Sequence, residues 1–245
     1  MTGKRGLIVG VARRRGWKAR VARVLVVAAV LGALVVAVGH RPILRGHFGV
    51  VDPGRVYRSA QPRSDLRRTV ASYRLGSILN LRGGSEADAW YAAEVRAASD
   101  LGVDFYDLPL CATQRPSRRE LLVLLDLFGR CRYPLLIHCK SGADRTGLAS
   151  ALYLMAVRGV APRAALGAFS VLHGHFPIGG PEHLHEPFAE YDAWLRDRRL
   201  PHAPDRLRWW VEHAYRADDA PGAVPPLEPG PRLGLSSAAA SSKRD

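Results

Sequence analysis

The sequence predicts an α/β domain, a central and mostly parallel sheet flanked by helices, preceded by one N-terminal transmembrane or signal helix. Three observations carry this. Short apolar runs of strand length alternate with longer segments of helical spacing through the middle of the chain. Turn and cap residues punctuate the alternation. Residues 24–39 form an uncharged apolar run directly after a strongly basic arm.

The elements follow in order. Residues 1–23 carry eight basic residues and no acid, and Val24 to Gly39 reads VLVVAAVLGALVVAVG. A bilayer span takes about 20 apolar residues and a signal core roughly 7–15, so sixteen lies between the two. Arg23 snorkelling to the interface lets the run span a slightly thin bilayer. The basic flank sets the arm in the cytoplasm and the rest outside. Two outcomes stand: a single-pass anchor with an extracytoplasmic domain, or secretion after signal cleavage at the small residues Ala37 and Gly39. Residues 40–47 read as a linker.

From residue 48 to 215 the pattern is that of one folded domain. Gly49 to Arg58 reads as a strand pair around the Pro53-Gly54 turn. Ser64 to Leu75 has helical spacing, with Ser64 as N-cap. Ser77 to Leu81 is a buried strand, Glu86 to Ala98 a helix and Val103 to Leu110 a strand. Ser117-Arg118-Arg119-Glu120 is a capping box that opens a helix. Pro134 to His138 is a buried strand, and Arg145 to Val157 a helix with a strongly apolar face. Ala161 to Leu172, Pro181 to Arg198 and Arg206 to Tyr215 read as further helices. Trp209 and Trp210 mark the last as a packed satellite helix. Residues 216–245 have the composition of a disordered tail.

Composition excludes several classes. At 47% hydrophobic the chain of 245 residues holds enough apolar material for a core, and three cysteines cannot staple a fold. The net charge of +14 suggests a polyanion partner until it is located. Residues 24–215 hold 24 basic and 18 acidic residues, a net of only +6, and no nucleic-acid motif occurs, so nucleic acid is not an expected partner.

The chemistry lies in His138-Cys139-Lys140-Ser141-Gly142-Ala143-Asp144-Arg145-Thr146-Gly147, which leaves a buried strand and enters a helix. Backbone N–H groups and a helix N-terminus then converge on one point, an anion site. The same dipoles favour a thiolate at Cys139, the expected nucleophile. The planar fork of Arg145 suits two phosphoryl oxygens. Gly142 lets the backbone curl. Thr146 is placed to bond the sulfur or assist water.

This loop resembles the phosphate-binding loop of the cysteine-dependent protein tyrosine and dual-specificity phosphatases. Val56-Tyr57-Arg58-Ser59-Ala60-Gln61-Pro62 and Ile78-Leu79-Asn80-Leu81-Arg82 resemble the bacterial and fungal branch that includes inositol-pyrophosphate phosphatases. The resemblance covers roughly residues 48–195. It implies a hydrolase with the cysteine phosphatase fold that works through a phosphocysteine. Cys139 would be the nucleophile, Arg145 the phosphate and transition-state ligand, His138 a buttress of the thiolate and Thr146 an aid to turnover. Lys140, Ser141, Gly142, Ala143 and Gly147 would complete the phosphate-binding loop.

The family places an Asp general acid on a mobile loop. The corresponding segment, Leu108 to Ser117, has no Asp or Glu. Asp144 is the first choice of acid, since myotubularin-like phosphatases have an Asp at the matching place, and Asp107 is the alternative. Lys140 matches a Lys of phosphoinositide phosphatases, while their second loop Lys is replaced by Ala143. The expected substrate is a phosphotyrosine protein, with inositol phosphates or phosphoinositides as the alternative and an inactive phosphate-binding module as the rival of another class. No cofactor or metal is expected: His173, His175, His183 and His185 have the side chain of zinc ligands, but no cysteine pair accompanies them. Cys111 and Cys131 are expected as ordinary buried thiols.

Overall fold

The computed structural model describes residues 17, 20–33, 46–62, 66–216 and 227–229. The chain divides into two units, residues 1–44 and 45–245. In the first, residues 20–33 form a helix (α1) that is exposed throughout. Among the described residues no helix is long and apolar enough to cross a membrane. Residues 34–39 of the expected span, and most of the basic arm, lie outside the described residues.

The second unit is built on five strands: β1 (Gly49–Asp52), β2 (Val56–Ser59), β3 (Ser77–Asn80), β4 (Asp104–Asp107) and β5 (Leu135–His138). Their order is β1-β2-β5-β3-β4. Among the described residues β1 pairs antiparallel with β2, and the other pairings are parallel. The mostly parallel α/β sheet expected from the alternation is therefore present.

The helices are α2 (Leu66–Tyr73), α3 (Ala89–Asp100), α4 (Arg118–Arg130), α5 (Asp144–Arg158), the single turn α6 (Pro162–Ala165), α7 (Glu186–Asp197) and α8 (Pro204–His213). Period-two alternation assigns them to the two faces of the sheet. Val56, Leu79, Tyr106, Leu135 and Ile137 pack into one core with α4, α5, α7 and α8. Their strand neighbours Tyr57, Ile78, Phe105 and Leu136 pack into the other with α2 and α3. Leu135, Leu136 and Ile137 are wholly buried, each contributing on the order of 2 kcal/mol. This fixes β5, the middle strand, and with it the point where the loop after His138 begins.

Several sequence expectations hold in detail. Ser117 Oγ accepts from the Glu120 N–H at 3.2 Å, and Glu120 Oε2 accepts from the Ser117 N–H at 2.7 Å, the reciprocal capping box. Trp210 is buried on α8 and Trp209 is half exposed. Ser64, the expected cap of α2, lies outside the described residues.

Other expectations are corrected. The single helix expected over Ala161 to Leu172 stops after one turn and continues as two 3-10 turns, Leu166–Ala168 and Val171–His173. Arg58 Nη1 draws the Ala168 carbonyl at 2.5 Å, and the Ser170 hydroxyl takes the Leu172 N–H, so both groups leave the helical ladder. Cys111, expected buried, is exposed, whereas Cys131 is buried. Leu227, in the expected tail, packs against the core, and its carbonyl accepts from Arg130 Nη2 at 3.1 Å. Of the rest of that tail, Arg216, Glu228 and Pro229 are among the described residues and the others lie outside them.

Candidate active site

The segment Cys139–Ala143 bridges β5 and α5 at the carboxyl ends of the parallel strands, where open α/β sheets form their binding crevice. Its shape is set by what its carbonyls bond to. Lys140 O accepts from the Gln61 N–H at 3.3 Å. Ser141 O lies 2.5 Å from His47 Nδ1, which must donate to a carbonyl, so the His47 proton is on Nδ1. Gly142 O and Ala143 O accept from Arg58 Nη2 at 2.8 and 3.3 Å. Four successive carbonyls are thus tied to the surrounding protein. Each shares a peptide plane with the following N–H, so those N–H groups turn the other way, toward the loop's interior. Gly142 N–H meets Cys139 Sγ at 3.3 Å, and Cys139 is 1% exposed at the base of this cradle.

Gly142 is required by sterics. Its φ is +73°, and a Cβ there would stand 2.6 Å from Ala60 N. Arg58 is the main brace of the loop and the most consequential residue whose role sequence reasoning missed, although it lies within the quoted Val56–Pro62 motif. Burial lowers its pKa to about 10, against the opposing pull of Cys139. His47, expected in the linker, belongs structurally to the domain.

Behind the thiol, His138 is fully buried with Nε2 2.9 Å from Glu94 Oε1, a close polar contact rather than an aligned hydrogen bond. Gln61 Nε2 donates to the other Glu94 oxygen. Glu94 carried no local sequence signal, since it lies in an Ala-rich helix. Asp107 is held by Asn80 Nδ2 at 2.9 Å and by the Tyr91 hydroxyl at 3.0 Å. Burial raises the Asp107 carboxyl above its ordinary range, outweighing those two bonds.

Arg145 lies in the first turn of α5. Its Nη1 donates to Leu81 O at 3.2 Å and Leu110 O at 3.3 Å, from the chain beyond β3 and β4. Its Nε is buried without a hydrogen-bond partner among the described residues. The Thr146 hydroxyl is buried and also without a partner there. Lys140 and Ser141 are exposed at the rim. Gly147 is buried where a Cβ would stand 2.8 Å from the Phe169 ring. Asp144 Oδ1 lies 2.7 Å from His175 Nδ1, not beside an arginine as a bracing carboxylate would be expected to lie.

The other rim is the loop after Cys111. The Thr113 backbone N–H lowers the Cys111 thiol below its ordinary value, opposed by burial and aided by the Thr113 hydroxyl, Gln114 and the charge of Arg145. Near Arg58 and His47, His173 is pushed down to about 4, chiefly by burial and then by those two neighbours. The unfolded chain therefore binds more protons than the native one between about pH 4 and 6.5, and stability rises with pH across that window. His173 is only partly buried, so the effect is on the order of 1 kcal/mol after screening. Urea unfolding at pH 4.5 and 7 should show the loss, and His173→Asn should reduce it.

A buried thiol at the base of an N–H cradle, with an arginine opening the helix that follows, defines a cysteine-dependent phosphatase. The profile of the tyrosine phosphatase family matches residues 38–166, and the chain belongs to that family. Similar solved structures include TpbA of P. aeruginosa, at 25% identity over 67% of this chain and 95% of that one, with a TM-score of 0.42. The catalytic core of the PP-IP phosphatase SIW14 of S. cerevisiae is 19% identical over 62% of this chain and 89% of its own, with a TM-score of 0.48. PTPMT1, crystallised with PI(5)P, is 20% identical over 62% and 99%, with a TM-score of 0.44.

Proposed function

We propose that this phosphatase hydrolyses phosphate monoesters, foremost on phosphotyrosine proteins, through a phosphocysteine on Cys139, and that residues 24–39 tether it to a membrane with the domain outside the cytoplasm. The observation that carries the chemistry is the outward tying of the carbonyls of Lys140, Ser141, Gly142 and Ala143. It leaves N–H donors gathered over a thiol, preorganised for a phosphoryl group before one arrives.

In the first step the Cys139 thiolate attacks phosphorus. The S–P bond forms, the P–O ester bond breaks, and the leaving oxygen takes a proton from an acid. In the second step water attacks phosphorus, the S–P bond breaks, and the proton lost by water returns to the same group. Arg145 and the loop N–H groups hold the equatorial oxygens throughout. His138 buttresses the sulfur from behind, and Thr146 offers its unpaired hydroxyl to the sulfur or the incoming water.

Asp144 is the acid this reading favours. It lies within the loop, and one carboxylate oxygen, Oδ2, has no partner among the described residues. Asp107 has both oxygens engaged, by Asn80 and Tyr91. Asp144→Asn should lower kcat about 100-fold on an alkyl phosphate and far less on 4-nitrophenyl phosphate, whose leaving group needs no proton. Near-normal turnover of the alkyl ester would remove Asp144 from the role.

A second substrate class, inositol phosphates and phosphoinositides, is favoured by the exposed Lys140 next to the nucleophile, where it adds charge for a polyanionic head group. Phosphate release by wild type and Cys139→Ser across phosphopeptides and inositol phosphates separates the two. Release from none of them favours a phosphate-binding module. For the tether, the support is the uncharged run of residues 24–39 behind eight basic residues. A topology reporter after Tyr215 should read outside the cytoplasm, and a cytoplasmic signal contradicts the orientation. Recovery of a chain beginning after Gly39 would identify the secreted form.

A further inference from the structure

Asp144 does not stand alone. Its Oδ1 lies 2.7 Å from His175 Nδ1, and His175 Nε2 lies 2.9 Å from His185 Nε2. His175 is 3% exposed, whereas His185 is only partly buried. The two imidazoles are clamped by one ring: Phe169 has its centroid 4.9 Å from that of His175 and 4.2 Å from that of His185. The same ring packs where Gly147 lacks a side chain, which couples the clamp to the first turn of α5. The line Asp144–His175–His185 therefore runs from the loop, through a buried imidazole, to one that reaches solvent.

The two bonds fix the protonation of the line. A carboxylate only accepts, so His175 Nδ1 carries the proton toward Asp144. His175 Nε2 is then the acceptor and His185 Nε2 the donor. Burial, and next the neighbouring His175, lowers the pKa of His185 below the ordinary histidine value, which keeps it neutral near pH 7. The charged and titratable groups facing the pair are Asp144, with Arg145 next along α5, and Glu182 on the 3-10 turn before α7. Arg58 lies behind Phe169 through its bond to Ala168 O.

We propose that His175 and His185 form a proton relay that charges Asp144 from solvent and discharges it again in each catalytic cycle. A proton from water adds to His185 Nδ1. The proton on His185 Nε2 passes to His175 Nε2, and the one on His175 Nδ1 passes to Asp144 Oδ1. Asp144 is now a neutral acid, and both histidines are neutral, each holding one proton on the opposite nitrogen. Asp144 gives its proton to the leaving oxygen as the P–O bond breaks. It takes one from water in the second step, and the reverse passage returns that proton to solvent. Neither histidine is left charged at either end of the cycle. His175 and His185 are positioning and relay residues; neither touches the substrate. The proposal rests on the reading of Asp144 as the acid.

A brace and a relay are separated by His175→Gln, whose amide N–H still holds Asp144 but cannot pass a proton. His175→Gln and His185→Phe should each lower kcat on an alkyl phosphate by about 10-fold or more. Both should leave 4-nitrophenyl phosphate turnover and the inhibition constant for inorganic phosphate within about threefold, the marks of an intact phosphate loop. The alkaline limb of the alkyl phosphate pH profile should move to lower pH in both variants. Wild-type turnover of the alkyl ester by His175→Gln, with an unmoved limb, would overturn the relay in favour of a brace. Equal losses on both substrates would overturn it in favour of a general structural role. Failure of the underlying reading shows separately, as normal alkyl ester turnover by Asp144→Asn.

Discussion

Replacing Cys139 by serine is expected to lower turnover by more than about 10⁴-fold while leaving the affinity for inorganic phosphate within a few fold. The two halves of this expectation have different origins. Phosphate is held by N–H groups that the bonds to Gln61, His47 and Arg58 orient, and none of these depends on the sulfur. Turnover depends on a nucleophile able to attack phosphorus. Sulfur is intrinsically strongly nucleophilic, and a serine hydroxyl without an adjacent base is not. Phosphate inhibition and steady-state turnover on one preparation check both halves.

Arg145→Ala is the second large effect, an expected loss of about 10³-fold or more in kcat/KM with a weakened grip on phosphate. Nη1 of the guanidinium is anchored to Leu81 O and Leu110 O, and its Nε is buried with an unsatisfied donor. An arriving phosphoryl oxygen would satisfy that donor in a site largely closed to water, where a charged hydrogen bond is strong. Arg145→Lys should recover little of the loss. An ammonium cannot reach both carbonyls and still present a planar pair of donors. Activity of Arg145→Lys close to wild type would show that net charge alone suffices and that the fork does not matter.

The outcome at each residue separates what a local pattern encodes from what only folding assembles. The capping box at Ser117 and the apolar run of β5 are contiguous in sequence, and both form as expected. Cys139, Gly142 and Arg145 were legible for the same reason, because a phosphate loop is one unbroken stretch. The braces of that loop were not. His47, Arg58 and Glu94 come from three separate elements, and no spacing rule links them to residue 139. His175 and His185 belong in sequence to two separate H-x-H pairs for which no metal was expected. In the fold they belong to Asp144, because the expected helix over Ala161 to Leu172 gives way to short turns that carry His175 inward. The loss of that helix was only partly legible, since beside the local Ser170 bond it involves a guanidinium more than a hundred residues upstream.

The charge that first pointed to a polyanion partner divides the same way. Eight basic residues precede the apolar run of residues 24–39, and the domain retains a modest excess suited to a phosphate. Arg58, though buried, spends its hydrogen bonds on carbonyls of the loop and its flank, and so serves geometry before charge.

The most direct test is chemical trapping. Wild-type protein mixed with an aryl phosphate, quenched in alkaline denaturant on the millisecond scale and digested at alkaline pH, should yield the Cys139 peptide carrying one phosphoryl group as S-phosphocysteine. The adduct should be absent from Cys139→Ser. Phosphate released at the wild-type rate with no adduct on Cys139, or with an adduct on another residue, would contradict the account.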